Sequence, residues 1–283
     1  MALHPDTAVG PVALTARDPE GMARFYERSV GLRRLAGDGG RVALGVGERP
    51  LVELVADADA RPRPPGSTGL FHLAILVPDR PELGRALLRI AATGAPLVGA
   101  SDHLVSEALY VSDPEGNGIE IYRDRPRSEW SRDGEEIAMA TLPLDLRDVA
   151  ATTGEQAPER GMDDAARIGH VHLNVADLDE AERFYGQVLG FDVTARGYPG
   201  ALFLAAGGYH HHVGLNVWAG KGAPPPPAGA AGLRAFEIEL ADGAELEAAT
   251  ERLREAGVAF ELEHGILTTE DPSRNRIVLR ARR

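Results

Sequence analysis

With 283 residues, 43% of them hydrophobic and 26% charged, the chain has the composition of a globular protein large enough for two domains. Its formal net charge of -13 and the lack of any Lys/Arg-rich run argue against nucleic acid or an anionic membrane as partner, because both need a concentrated positive face, and point to a small substrate. The absence of cysteine excludes disulfides and thiolate metal sites, so any metal must be held by nitrogen and oxygen; no stretch is long and apolar enough to span a membrane, no export signal is readable at the amino terminus, and the expected location is cytoplasmic.

In chain order, the first recognisable segment opens at Asp18, a residue suited to cap a helix. It carries Phe25-Tyr26 about two turns along and then Val30-Gly31-Leu32. The pattern returns at Asp177, with Phe184-Tyr185 and Leu189-Gly190-Phe191 at the same spacing. Between them, Leu70-Phe-His-Leu-Ala-Ile-Leu-Val-Pro-Asp79 reads as an apolar strand entering a Leu/Ala/Arg-rich helix that closes at Gly94. The segment from Asp242 to Gly257 repeats that helix. Asp113-Pro-Glu-Gly-Asn117 and Asp271-Pro-Ser-Arg-Asn275 are matching turns, each leading into a final apolar strand. The second half of the chain is therefore a copy of the first.

Each half divides again into two units of strand, helix and three strands, over residues 8–62, 68–124, 166–222 and 231–281. The charged stretch from Arg125 to Arg167, most apolar over 139–146, reads as a linker with one or two short elements. Pro224 to Pro227 makes a stiff extended connection. The domain expectation is an amino-terminal pair of units over 1–125, a linker over 126–165 and a carboxy-terminal pair over 166–283.

His72 and His170 stand at the same distance before an aspartate that opens a helix. Each lies on a short apolar strand, on the face opposite the valines and leucines, where packing alone favours an aliphatic side chain. An imidazole placed there asks for a compensating ligand. A lone strand histidine is more often a satisfied core or surface residue; two in equivalent places of repeated units are what a shared metal site looks like.

Four βαβββ units in tandem resemble the vicinal oxygen chelate superfamily, which includes glyoxalase I, fosfomycin-resistance proteins and the type I extradiol dioxygenases. The resemblance covers almost the whole chain outside the linker. It implies an α+β fold in which pairs of units join edge to edge into two cupped, incomplete β-barrels with helices outside, and in which ligands come from the first and last strands of a unit. The first-strand position is Pro11, His72, His170 and Ala235 in the four units, and the last-strand position is Glu120 in the second and Val278 in the fourth. Glu53 occupies the last strand of the first unit, more often the place of a solvated strand residue than of a relic ligand. Pairing neighbours along the chain would separate His170 from His72 and Glu120. Pairing the second unit with the third, and the first with the fourth, gathers all three into one cup as the two-histidine, one-carboxylate triad of non-haem Fe(II) oxygenases.

Three longer segments, around His72, from Ser101 to Tyr110 and from Gly207 to Trp218, are similar to bacterial catechol 2,3-dioxygenases of the two-domain type. In the last of these, alternation turns His210, His212, Gly214, Asn216 and Trp218 toward the cup. His212 is then the acid-base candidate beside the metal, and a bulge that shifts the register selects His211 instead. A polar patch at a strand start is the plainer account of the three histidines. His103 and Tyr110 resemble the histidine and tyrosine that contact catechol oxygens, although their spacing differs from the dioxygenase pattern. His172 and Asn174 share the side of His170 and suit partners that fix its tautomer.

The resemblance thus implies an Fe(II)-dependent extradiol dioxygenase that cleaves a small aromatic diol with O2 to a muconic semialdehyde, a histidine moving the catechol proton. Mn(II) or another divalent metal accommodates the same ligands. The alternatives on this scaffold are a hydroquinone-cleaving dioxygenase, a glyoxalase-like isomerase or lyase with a fourth ligand, and a non-catalytic small-molecule binding protein. Exposed sheet edges favour a homodimer.

Overall fold

The computed structural model describes residues 2–154 and 160–282. Each helix-opening aspartate of the repeat caps its helix: Asp18, Asp79, Asp177 and Asp242 accept first-turn backbone N–H groups at the starts of Pro19–Phe25, Arg80–Thr93, Leu178–Glu182 and Gly243–Glu255. In the first and third units the helix widens into a π-helical turn, Tyr26–Val30 and Arg183–Leu189. Both turns end on a glycine with positive φ, Gly31 at 92° and Gly190 at 97°, where a side chain would strain the backbone.

The wide turns carry the Phe-Tyr pairs, and their contacts explain why the pairs recur. Tyr26 donates its hydroxyl to Oδ2 of Asp113 at 3.2 Å, and Tyr185 does the same to Asp271 at 3.0 Å. Each aspartate also accepts the backbone N–H and the side-chain amide of its turn asparagine, Asn117 or Asn275. A helix of one unit is thereby bolted to a turn of the next. Both phenols are completely buried, and these bonds offset the desolvation of the carboxylates.

The strands form two large mixed sheets with the helices at their periphery. One sheet runs, edge to edge, Phe260–Glu263, Ile266–Glu270, Arg276–Ala281, Gly232–Leu240, Ala8–Ala16, Arg49–Ala56, Arg41–Val46 and Arg33–Asp38. The other runs Leu142–Pro143, Leu97–Asp102, Ser106–Ser112, Gly118–Asp124, Gly69–Leu76, Arg167–Asn174, Val213–Asn216, Ala201–Ala205 and Asp192–Ala195. The first sheet thus takes its strands from the first and fourth units, and the second, apart from Leu142–Pro143, from the second and third, the latter joined by antiparallel pairing of Gly69–Leu76 with Arg167–Asn174. One continuous apolar core lies between the elements and includes Leu14, Leu54, Leu73, Ile75 and Phe236.

The stretch between the halves holds more structure than a connector needs. It contains a helical turn at Arg127–Glu129, a small hairpin of Arg132–Asp133 with Glu136–Ile137, and the helix Leu146–Ala151 against Arg80–Thr93. Its strand Leu142–Pro143 extends the second sheet by pairing with Ser101 and Asp102. Residues 155–159 of the expected linker lie outside the described residues. No helix among the described residues is long and apolar enough to cross a membrane.

The bolts should dominate the tolerance of this architecture to polar-to-apolar change. Tyr26→Phe removes one hydrogen bond to a carboxylate and should cost about 1–3 kcal/mol. Asp113→Ala strands several buried donors at once and should cost more than about 3 kcal/mol. Urea unfolding followed by circular dichroism measures both, and equal losses would contradict the shared-acceptor account.

Candidate metal centre and cavity

Strand register builds the centre. Ala74 is flanked in the sheet by His170 on one neighbouring strand and Glu120 on the other, while His72 sits two residues earlier on Ala74's own strand. Alternation turns all three side chains to the same face, with only a methyl group between them. Oε2 of Glu120 lies 3.0 Å from Nε2 of His72 and 3.2 Å from Nε2 of His170, and one ligand atom from each residue falls within 4.8 Å of the others. His72, Glu120 and His170 are 6%, 3% and 1% exposed.

The first sheet keeps the register and lacks the donors. There Ala13 is flanked by Ala235 and Glu53, and Glu53 is held by Arg41 at 2.8 Å. Among the described residues, only the second sheet brings two imidazoles and a carboxylate together.

These residues fit a divalent metal. Nε2 of His72 is buried without a hydrogen-bond partner even though the Glu120 oxygen is near, so that nitrogen is aimed at the shared point without being satisfied there. Metal ligation needs neutral imidazole, and burial holds His170 down at about 4 against the opposing pull of Glu120. A nitrogen-nitrogen-oxygen set without sulfur suits iron(II) or manganese(II) and leaves coordination positions over.

Beside the three lies a cavity of about 540 Å³, whose wall includes His72, Glu120, Tyr110, His172 and His211 together with Val98, Val105, Val111 and Phe203. Phe71 and Trp218, 41% and 45% exposed, meet edge to face at its border with ring centroids 5.2 Å apart. His170 lies against the wall, its ring centroid 4.0 Å from that of His211 and 4.9 Å from that of Tyr122. The preceding Gly169 makes room for this packing, since a Cβ there would come within 1.8 Å of the Tyr122 hydroxyl.

His103 and Tyr110 both reach the cavity. Nδ1 of His103 donates to the carbonyl of Ala140 at 2.7 Å, which leaves Nε2 to accept the Tyr110 hydroxyl at 2.7 Å. Burial, then the charge of Glu120, pushes the Tyr110 phenol well above its ordinary range, so it stays a neutral donor.

The two acid-base candidates part company. His211 lines the cavity, whereas His212 lines a separate one together with Tyr209 and Arg167, its Nδ1 accepting the N–H of Ala206 at 3.1 Å. Alternation favours His212 only if the strand already runs through the histidines, but the ladder begins at Val213 and residues 209–212 bend into it. His172 and Asn174 do not fix the tautomer of His170. Among the described residues its Nδ1 has no partner, nor has Nε2 of His172, whose ring instead packs against Phe71 and Trp218 at 5.2 Å from each.

Sequence reasoning missed what the linker supplies. Met139, Ala140 and Thr141 close one side of the cavity, and the hydroxyls of Thr141 and Tyr198 are hydrogen-bonded at its edge. The apolar run from Met139 was a usable signal that this stretch is covered; a backbone carbonyl that fixes a histidine leaves none.

A βαβββ repeat carrying a buried nitrogen-and-oxygen donor cluster defines a class. The Glyoxalase/Bleomycin resistance protein/Dioxygenase superfamily matches residues 8–121 and 167–279, and the chain belongs to that superfamily. Within it, the chain is similar to the catechol-2,3-dioxygenase of Bacillus subtilis (strain 168), with 42% identity over 283 residues and 96% of each chain covered. A solved putative dioxygenase from Bacillus subtilis subsp. subtilis str. 168 matches with a TM-score of 0.69 at 14% identity, over 97% of this chain and 84% of that one. Glyoxalase I from Zea mays matches at 0.60 and 17%, over 97% and 92%. At such identities the two structures speak for the fold alone.

The register makes metal affinity separable from stability. Glu120→Gln should weaken Fe(II) binding by more than the roughly 10–100-fold typical of losing an outer partner of a ligand. Glu53→Gln, at the matching position of the first sheet, should leave it unchanged. Anaerobic titration against a competing chelator reads both, and equal effects would contradict the assignment of the centre to one sheet.

Proposed function

We propose that the protein is an Fe(II)-dependent extradiol dioxygenase, cleaving catechol-type aromatic diols with O2 to a muconic semialdehyde. The observation that carries this reading is the convergence of His72, His170 and Glu120 beside a cavity that also presents His103, Tyr110 and His211. The identity to a catechol-2,3-dioxygenase over nearly the whole chain supports it.

In this reading each sheet curls into a cupped, incomplete barrel, the βαβββ units pairing second with third and first with fourth. Residues 1–125 and 166–283 are the two domains and 126–165 the linker. The matching registers around Ala74 and Ala13 support the arrangement. The cytoplasm is the proposed location. A homodimer through an exposed sheet edge is the proposed assembly.

His72, His170 and Glu120 hold the metal, iron(II) or less selectively manganese(II), which when bound supplies Lewis-acid and electron-transfer chemistry. The protein's own groups do the rest. His103, fixed by the Ala140 carbonyl, accepts the Tyr110 hydroxyl, so the phenol oxygen keeps its lone pairs for a substrate hydroxyl and orients the ring. His211, elsewhere on the cavity wall, takes the proton of a substrate hydroxyl and later returns it. Phe71, Trp218, Val98 and Met139 hold the apolar ring and exclude water.

A glyoxalase-like isomerase would add a fourth protein ligand, and among the described residues no further His, Asp or Glu joins the three. The test is anaerobic reconstitution with Fe(II) followed by catechol and air. A yellow semialdehyde absorption should appear with the native chain and be lost in His72→Ala and in His170→Ala. Turnover retained in either variant would refute the proposal.

A further inference from the structure

Behind His211 a line of hydrogen bonds leads away from the cavity. Asp124 ends the strand that carries Glu120, and its Oδ1 lies 2.9 Å from Nε2 of His210. Its Oδ2 accepts the Tyr209 hydroxyl at 2.9 Å, and that hydroxyl meets the Tyr122 hydroxyl at 2.8 Å. His210 is fully buried, and its backbone is pinned by the Thr194 hydroxyl, which donates to the His210 carbonyl at 2.6 Å. Its other ring nitrogen, Nδ1, lies 2.8 Å from Nδ1 of His211.

The direction of this line is fixed at one end. A carboxylate only accepts, so Nε2 of His210 carries a hydrogen. In the neutral ring Nδ1 is then an acceptor, and the hydrogen between the two imidazoles belongs to Nδ1 of His211. The remaining nitrogen of His211, Nε2, is left with a bare lone pair on a ring that lines the cavity. Without the carboxylate, the facing Nδ1 atoms could share their hydrogen in either sense, and in one of them Nε2 of His211 would be a donor.

We propose that Asp124, acting through His210, is a positioning residue that sets the tautomer and ring orientation of His211, so that its Nε2 lone pair faces the substrate. The role in turnover rests on the dioxygenase reading; the tautomer does not. Tyr209 keeps the carboxylate facing His210 by occupying its second oxygen, and Tyr122 backs Tyr209. The arrangement parallels the aspartate that orients the histidine of a serine protease triad, with one more imidazole interposed.

The test has two arms. In the metal-free, 15N-labelled protein, long-range proton-nitrogen correlation should show His211, identified by the signals lost in His211→Gln, with Nδ1 protonated and Nε2 bare. Asp124→Asn, whose amide can present N–H to His210, should shift His211 toward Nε2 protonation while leaving His72 and His170 unmoved. In the iron-loaded enzyme the same variant should lose about 100-fold or more in kcat, the range for a general acid-base group, with KM for catechol changed by less than about threefold. A bare Nδ1 on His211 in the native protein, an unchanged tautomer in Asp124→Asn, or unchanged kcat despite a changed tautomer would each overturn the proposal. Should the variant not fold, the native spectrum decides alone. A native enzyme that makes no semialdehyde would sink the dioxygenase reading and leave the nitrogen assignment to be judged on its own.

Discussion

The antiparallel ladder between Gly69–Leu76 and Arg167–Asn174 is the constraint on which the rest depends. It sets Ala74 opposite His170 and, through the strand on its other side, opposite Glu120. Because side chains alternate, a slip of one residue would send His170 to the core face and replace it with Gly169 or Val171. The apolar residues on the other face, Leu73, Ile75, Val171 and Leu173, all wholly buried, hold the register against that slip. The hydrophobic face therefore locates the polar site without touching it.

Duplication makes two such ladders, and chemistry occupies one. Around Ala13 the second ladder has an alanine in place of one histidine, a proline in place of the other, and a glutamate tied to Arg41. That sheet contributes to the shared core and leaves the donor cluster to its twin. The buried Tyr26–Asp113 and Tyr185–Asp271 bonds hold the four units together in the same way in both halves, so structural symmetry persists where functional symmetry does not.

What was legible in the sequence follows the same division. The aspartate caps, the glycine stops and the repeat itself were readable because each answers a local backbone requirement that only a few residue types meet. His72, His170 and Glu120 stood out because an apolar strand leaves a polar side chain nowhere ordinary to go. The choice between His211 and His212 was not readable, because the strand begins only at Val213, past the histidines that alternation had placed on it, and no side chain announces where a ladder starts. Nor was the reach of the linker readable: Ala140 acts through its carbonyl, which every residue possesses. Asp124 was hidden for a related reason, its partners being brought to it by the pairing of two units distant in sequence.

The most direct measurement of the central claim is a crystal structure of the iron-reconstituted protein, with anomalous differences collected on both sides of the iron absorption edge. The account predicts one anomalous peak per chain, within bonding distance of His72 Nε2, His170 Nε2 and a Glu120 oxygen, and none near Glu53. A peak in the first sheet, or one bonded to only a single member of the three, would contradict it.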